Sequence, residues 1–199
     1  MFKITSKIDA APYQKFYEFY ERAIEQDQVT PEAMAVSSLD DLTKEIDSRI
    51  VNLKYVTDDQ WIFFSNYNSP KALQFNSHNQ ISVLFYWPSI NSQSRVKALI
   101  KKIEARESDL HFASRSIEKN TLAIISNQSN EISSYDLIVK KFTKTLNSQN
   151  DSQHRPDYWG GYSFEPFYFE FWEGQKFRLN LRESFYLNNS QWMQKILQP

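Results

Sequence analysis

The sequence contains no cysteine, which excludes disulfides, thiolate metal sites, iron–sulfur clusters and a cysteine nucleophile. Glycine is nearly as scarce, with only Gly160, Gly161 and Gly174. Neither a G-x-G-x-x-G turn nor a P-loop can be assembled from them, so the glycine-rich nucleotide folds are excluded. The three histidines, His78, His111 and His154, form no metal-ligand spacing, and no metal is expected. No apolar run reaches the roughly 18 residues of a membrane helix, and the opening MFKITSKIDAAPYQKFYEF lacks the apolar centre of a signal peptide. An excess of either charge is missing too. With 23 basic and 24 acidic residues the net charge is −1, which gives no electrostatic reason to expect nucleic acid or an anionic membrane as partner. A cytoplasmic protein is the expectation.

What is present is aromatic: 16% Phe, Trp and Tyr within 41% hydrophobic residues, enough for a globular core. The 199 residues suit one domain, residues 1–199, with an N-terminal helix in 1–29 and a barrel with inserted helices in 30–199. Phe16, Phe19, Tyr20, Ala23 and Ile24 recur at helical spacing between Pro12 and Asp27. Thr30-Pro31-Glu32 starts either a second helix or the first strand. Strands are predicted at Ala33–Ser38, Arg49–Val56, Gln60–Asn66, Gln80–Trp87, Gln93–Glu104, Tyr162–Trp172 and Lys176–Leu187. Asp40-Asp41, Asp58-Asp59 and Glu173-Gly174-Gln175 read as turns. Pro70 opens a short helix to Ser77 behind Ser69 as N-cap. Helices are predicted from Ser108 to Leu146, broken near Gln128–Ser134, and Asn147–Gln153 is polar loop. Short, closely spaced strands favour a mainly β, antiparallel barrel with flanking helices.

The charges that look placed are basic. Lys71 stands beside a helix N-terminus, whose free N–H groups suit a phosphate; a solvated lysine is the alternative. His111, Arg115 and Lys119 fall at i, i+4 and i+8, one cationic face if the helix is continuous, or a solvated stripe. Phe177–Arg182 alternates, which sets Arg178, Asn180 and Arg182 on one strand face. Arg49 and Lys54 have opposite parity, so either a bulge intervenes or they serve different ligands. Gly160-Gly161 meets a local backbone need. No serine–histidine–acid order or carboxylate pair stands out. A phosphorylated small molecule and a cofactor with its own chemistry are therefore expected.

In this order the blocks RIVNLK (49–54), FFSNYNSPK (63–71), FYW (85–87) with Gln93, FASR (112–115), NQSNEISS (127–134), YWGGY (158–162), EFWEG (170–174), RLNLR (178–182) and a final LQP resemble the pyridoxamine 5′-phosphate oxidase family, from about Ala33 to Pro199. The resemblance implies a split β-barrel homodimer with flavin mononucleotide (FMN) in a groove shared by both subunits. It implies FMN contacts from Arg49, Ile50, Val51, Asn52, Leu53, Lys54, Phe64, Ser65 and Lys71 of one subunit, with Gln128 and Ser129. Gln93, Trp172 and Arg182 would come from the other. Lys54, His111, Arg115 and Lys119 would hold the substrate phosphate, and Arg178 and Asn180 would lie over the substrate ring as catalytic residues. Arg49 and Lys54 would then serve two different phosphates. The implied activity is oxidation of pyridoxamine or pyridoxine 5′-phosphate to pyridoxal 5′-phosphate by O2, a vitamin B6 salvage reaction.

The chain departs from the family pattern at five places. Pro70 and Ser92 replace basic residues, Asn180-Leu181 replaces His-Asp, His111 replaces a tyrosine and Lys119 a serine. The altered Arg-Asn-Leu-Arg strand leaves two alternatives open. One is a related FMN oxidase acting on another ring, such as a phenazine precursor; the other is a non-catalytic dimer that binds FMN or pyridoxal phosphate.

Overall fold

Ten strands and five α-helices make up most of the computed structural model, which describes residues 1–148 and 154–199. A short strand β1 (Lys3–Ser6) precedes helix α1 (Ala11–Glu25). The strands β2 (Ala33–Leu39), β3 (Ile46–Asn52), β4 (Tyr55–Thr57) and β5 (Gln60–Asn66) follow, then α2 (Pro70–Ser77). Next come the hairpin β6 (Gln80–Trp87) and β7 (Ser92–Lys102), and the helices α3 (Ala105–Ala113), α4 (Ile117–Ile125) and α5 (Tyr135–Asn147). The long β8 (Trp159–Glu173), β9 (Leu181–Asn188) and β10 (Gln191–Leu197) complete the chain.

The sheet runs β1-β4-β5-β8-β7-β6-β2-β3 and is antiparallel except for the β1–β4 pair. Its curl follows from chain length. This order ends in β3 on one side and in β4, edged by the short β1, on the other, yet only Leu53 and Lys54 separate β3 and β4 in sequence. Three peptide units span at most about 11 Å, so the two ends must lie close and the sheet bends into a half-barrel. The split lies on β8. One edge of this strand pairs with β7 along its length; the other is shared, with β5 taking Trp159–Phe164 and β9 taking Tyr168–Glu173. Pro166, which has no N–H to donate, falls in the gap between them, opposite a register shift at Lys97/Ala98.

Helix α1 fills the concave face. Pro12 stands in its first turn, where no N–H is needed. Phe16 is fully buried and meets Trp61 at 4.4 Å, Phe85 at 4.9 Å and Trp87 at 5.7 Å, ring centre to ring centre. Removal of such a ring costs roughly 3–5 kcal/mol.

The structure revises several expectations. Arg49–Val56 is two strands rather than one: Leu53 N–H donates to Glu32 O (3.0 Å) and Lys54 N–H to Ile62 O (2.8 Å), so the chain changes neighbours there. Parity across Arg49 and Lys54 therefore carries no meaning. Residues 176–178 are a 3₁₀ turn, with Phe177 and Arg178 in left-handed backbone (φ 58° and 62°). Asn180 Oδ1 accepts the Gln175 N–H (3.1 Å) and Leu179 N–H donates to Lys176 O (3.2 Å), closing the loop before β9 begins at Leu181. Arg178, Asn180 and Arg182 thus do not share a strand face. The run from His111 to Lys119 is broken at Ser114–Ser116 into α3 and α4. Thr30–Glu32 leads into β2, and β1 and β10 were not anticipated. Of the loop expected at Asn147–Gln153, Asn147 ends α5 and residues 149–153 lie outside those described.

Candidate active site

The strand change at Leu53–Lys54 opens a cavity of about 780 Å³ beside the end of β3. Its lining takes Arg49, Ile50, Val51, Asn52 and Lys54 from β3 and the crossing, and Phe64 and Ser65 from β5. Lys71 comes from α2, His111 from α3, Arg115 and Lys119 from the α3–α4 turn and α4, and Gln128 and Ser129 from the segment after α4. Of the residues predicted for this half, Leu53 alone is elsewhere: its side chain is fully buried in the core.

Charge is uneven here. Five basic side chains line the cavity and Asp47 is the sole acid among the lining residues. Arg49 Nη1 donates to Ser38 Oγ (2.5 Å) and Val36 O (3.3 Å), and Nη2 to Gln74 Oε1 (3.0 Å); Asp47 lies at 3.6 Å. Lys71 is buried, 6% exposed, and among the described residues its ammonium reaches only the Ser69 hydroxyl (3.0 Å). Ser69 occupies the N-cap position, but its hydroxyl donates to Asn66 O (2.7 Å) instead of capping. Burial, with Arg49 adding repulsion, pushes the Lys71 amine down to about 8. The Ser65 hydroxyl is buried without a partner.

Lys54, His111, Arg115 and Lys119 form a second group. Lys54, Arg115 and Lys119 make no ion pair among the described residues. Arg115 Nη2 donates to Lys119 O (3.0 Å), while its buried Nη1 has no partner. Burial lowers the Lys54 amine, and Lys119 and Arg115 lower it further. His111 is pushed down to about 4 by burial, then by Arg115, Lys54, Lys119 and Lys3. Its ring is therefore neutral near pH 7, with Nδ1 2.8 Å from the Tyr55 hydroxyl.

Aromatic rings line the same cavity. Phe64 lies nearly parallel to His111 (3.7 Å, 11°) and to Trp159 (5.4 Å, 12°), and the Arg115 guanidinium sits 4.3 Å over Trp159. Gly161 lets this stack form. Its backbone is ordinary, but a Cβ there would meet Ile103 and stand 2.9 Å from the Phe64 ring. The glycine pair answers a close approach and not a turn. Trp159 and Tyr55 had not been singled out by sequence reasoning. The YWGGY block held the only signal for Trp159; Tyr55 had none.

The remaining predicted residues lie apart. Gln93, Trp172 and Arg182 form one row across β7, β8 and β9, and Trp172, Arg178 and Asn180 line a separate cavity of about 580 Å³ with Asn91, Gly174, Gln175 and Pro199. Trp172 belongs to both the row and this cavity, whereas Gln93 and Arg182 line neither cavity.

Residues 21–148 match the family model described as pyridoxamine 5′-phosphate oxidase, and residues 159–199 match that of the pyridoxine 5′-phosphate oxidase C-terminal dimerisation region, which supports a homodimer. Pyridoxine/pyridoxamine 5′-phosphate oxidase 1 of Hydrogenovibrio crunogenus is 34% identical over 86% of this chain and 79% of its own length. The oxidase of Legionella pneumophila strain Lens is 33% identical over 94% and 87%. Among solved structures, PhzG of Burkholderia lata 383, in complex with tetrahydrophenazine-1-carboxylic acid, superimposes with a TM-score of 0.89 at 23% identity, covering 94% of this chain and 92% of its own. A pyridoxamine 5′-phosphate oxidase-related, FMN-binding protein of Nostoc punctiforme gives 0.76 at 11% identity, covering 96% and 99%. These two establish the split-barrel fold. No helix among the described residues is long and apolar enough to cross a membrane. By sequence and by fold, the chain belongs to the pyridoxamine 5′-phosphate oxidase family, a family of oxidoreductases.

Proposed function

We propose that the protein is a cytoplasmic, FMN-dependent oxidase that converts pyridoxamine or pyridoxine 5′-phosphate to pyridoxal 5′-phosphate, with O2 as acceptor. One observation carries this reading: a single cavity holds five basic side chains against one acid, together with the stacked rings of Phe64, His111 and Trp159. Lys71 is the buried one of the five and makes no ion pair among the described residues, and a buried cation left so costs several kcal/mol, so the cavity suits ligands that bring anionic groups.

The donor set fits FMN. Arg49, Lys71, the unpartnered Ser65 hydroxyl, Gln128 and Ser129 would hold its phosphate and polar edge. In the homodimer, Gln93, Trp172 and Arg182 of the partner subunit would complete the site. The chemistry supplied by a bound flavin is two-electron oxidation, with peroxide as product. The chain's own residues bind and orient. Lys54, Arg115 and Lys119 would hold the substrate phosphate, with neutral His111 and Tyr55 adding hydrogen bonds, and the ring would lie between this anchor and the flavin. Arg178 and Asn180 of the partner subunit would cover it.

A second reading rests on Asn180. Its side-chain oxygen accepts the Gln175 N–H, which ties the side chain into the loop in place of the family's histidine and supports a related FMN oxidase acting on another ring. The test is an assay: FMN-loaded protein is offered pyridoxamine 5′-phosphate while peroxide is followed. Turnover supports the first reading. Flavin binding without turnover, together with activity on a phenazine precursor, replaces it with the second.

A further inference from the structure

Glu170 is a buried carboxylate, 4% exposed, on the sheet face that also carries Gln93, Arg95, Trp172 and Arg182. Every direction of it is occupied. Oε1 accepts both Nε–H (3.2 Å) and Nη2–H (2.7 Å) of Arg182. Oε2 accepts the Tyr168 hydroxyl (2.9 Å) and Arg95 Nη2. Arg182 is held on its far side as well, where Nη1 donates to Gln198 O (2.9 Å). Three of its five N–H groups are thus spent inside the chain, and two remain. Arg182 pairs in register with Trp172, which pairs with Gln93. The carboxylate therefore fixes one end of the row that the reading above assigns to the flavin.

We propose that Glu170 is a positioning residue that aims the two free N–H groups of Arg182 at the FMN bound across the dimer interface. The inference rests on the assignment of Arg182 to the cofactor. A flexible guanidinium gives up rotamer freedom on binding, and one already clamped by a carboxylate has less to lose. Charge alone argues the other way: loss of an anion beside Arg182 would tighten binding of an anionic ligand. The sign of the effect therefore separates orientation from electrostatics.

The test is titration of flavin-free dimer with FMN, followed by quenching of flavin fluorescence, in the parent, Arg182→Lys, Glu170→Gln and the double variant. Glu170→Gln is expected to raise the Kd about ten-fold, the scale of one charge-assisted hydrogen bond. In the Arg182→Lys background the same change is expected to add less than about two-fold, because nothing remains to be aimed. Tyr168→Phe, which removes a single donor from Oε2, is expected to raise the Kd about three-fold and to lose that effect in the same background; it decides the matter if Glu170→Gln does not fold. An unchanged or lower Kd in these variants, or equal effects in both backgrounds, overturns the proposal and leaves a purely structural carboxylate. A parent that binds FMN with an Arg182→Lys variant of equal affinity overturns it too, while the oxidase reading stands. A parent that takes up no FMN overturns both.

Discussion

Around Glu170, one buried carboxylate receives four hydrogen bonds, from Arg95, Tyr168 and twice from Arg182. In the larger cavity the ratio is reversed: five cations face a single acid, and among the described residues Lys71 finds only a serine hydroxyl. Both regions hold buried charge, and buried charge is stable only when paired. The first is complete within the chain. Burial alone raises the Glu170 carboxyl pKa, but hydrogen bonds from Arg182 and Tyr168 and the charge of Arg95 hold it below its ordinary value. The second is incomplete, and its lysines and His111 are all shifted away from the charged form where a shift is resolved.

The contrast breaks first at Arg49. Arg49→Ala removes at least two charge-assisted bonds to a phosphate, each worth roughly 1.5–3 kcal/mol. FMN affinity is expected to fall about a hundred-fold or more in a fluorescence titration; a loss under about three-fold would detach Arg49 from the cofactor. The next effect is on substrate. Arg115→Ala is expected to raise KM for pyridoxamine 5′-phosphate about ten- to hundred-fold with FMN affinity nearly unchanged, and Lys119→Ser to cost far less. Steady-state kinetics at saturating FMN checks both. Equal turnover in all three proteins would return this face to a solvated stripe.

Lys71 sharpens the comparison through pH. With its amine near 8 in the free protein and 10.5 as the ordinary value, the flavin-free protein has lost this proton above about pH 8. Phosphate binding then requires the proton to return, so FMN affinity is expected to be constant below pH 8 and to fall above it by up to about ten-fold per unit. Lys71→Arg, charged throughout, is expected to flatten that limb. The same shift has a stability consequence: between about 8 and 10.5 the unfolded chain binds more protons, so the flavin-free protein gains stability as the pH rises through this window. The smallest effect is at His111. Its folded value near 4 lies below the ordinary 6.5, so the unfolded chain protonates first. Stability is therefore lost as the pH falls from 6.5 towards 4, and His111→Phe is expected to reduce that loss in acid-unfolding curves. An unchanged acid limb would contradict a neutral His111.

The two regions also differ in how readable they were. The basic residues of the large cavity stood out because residue type and spacing mark them: Arg49 and Lys54 flank a strand, and Lys71 follows Ser69-Pro70. Their supports, Ser38, Gln74 and Tyr55, did not, because each acts through a contact between residues distant in sequence. Glu170 stood out only as a neighbour of Trp172, although it organises the β7–β9 face. In the fold, the apolar run of Gln80–Trp87 was plain. By contrast, β10 is mostly exposed, QWMQKIL with only Trp192 and Leu197 partly covered, and its pattern carries no sign of a buried face. The alternation at Phe177–Arg182 misled because Asn180 closes its loop by a side-chain hydrogen bond, and this holds Phe177 and Arg178 in left-handed backbone that costs about 1–2 kcal/mol per residue.

The central claim is that the unpaired cations of one chain, completed by the row Gln93–Trp172–Arg182 of its partner, bind FMN. It is tested most directly by combining analytical ultracentrifugation with the flavin absorbance of the sedimenting species. The account predicts a yellow species of about twice the 23.6 kDa chain mass, carrying one FMN per chain. A colourless protein that takes up no added FMN, or a monomer that holds it tightly, would contradict the account.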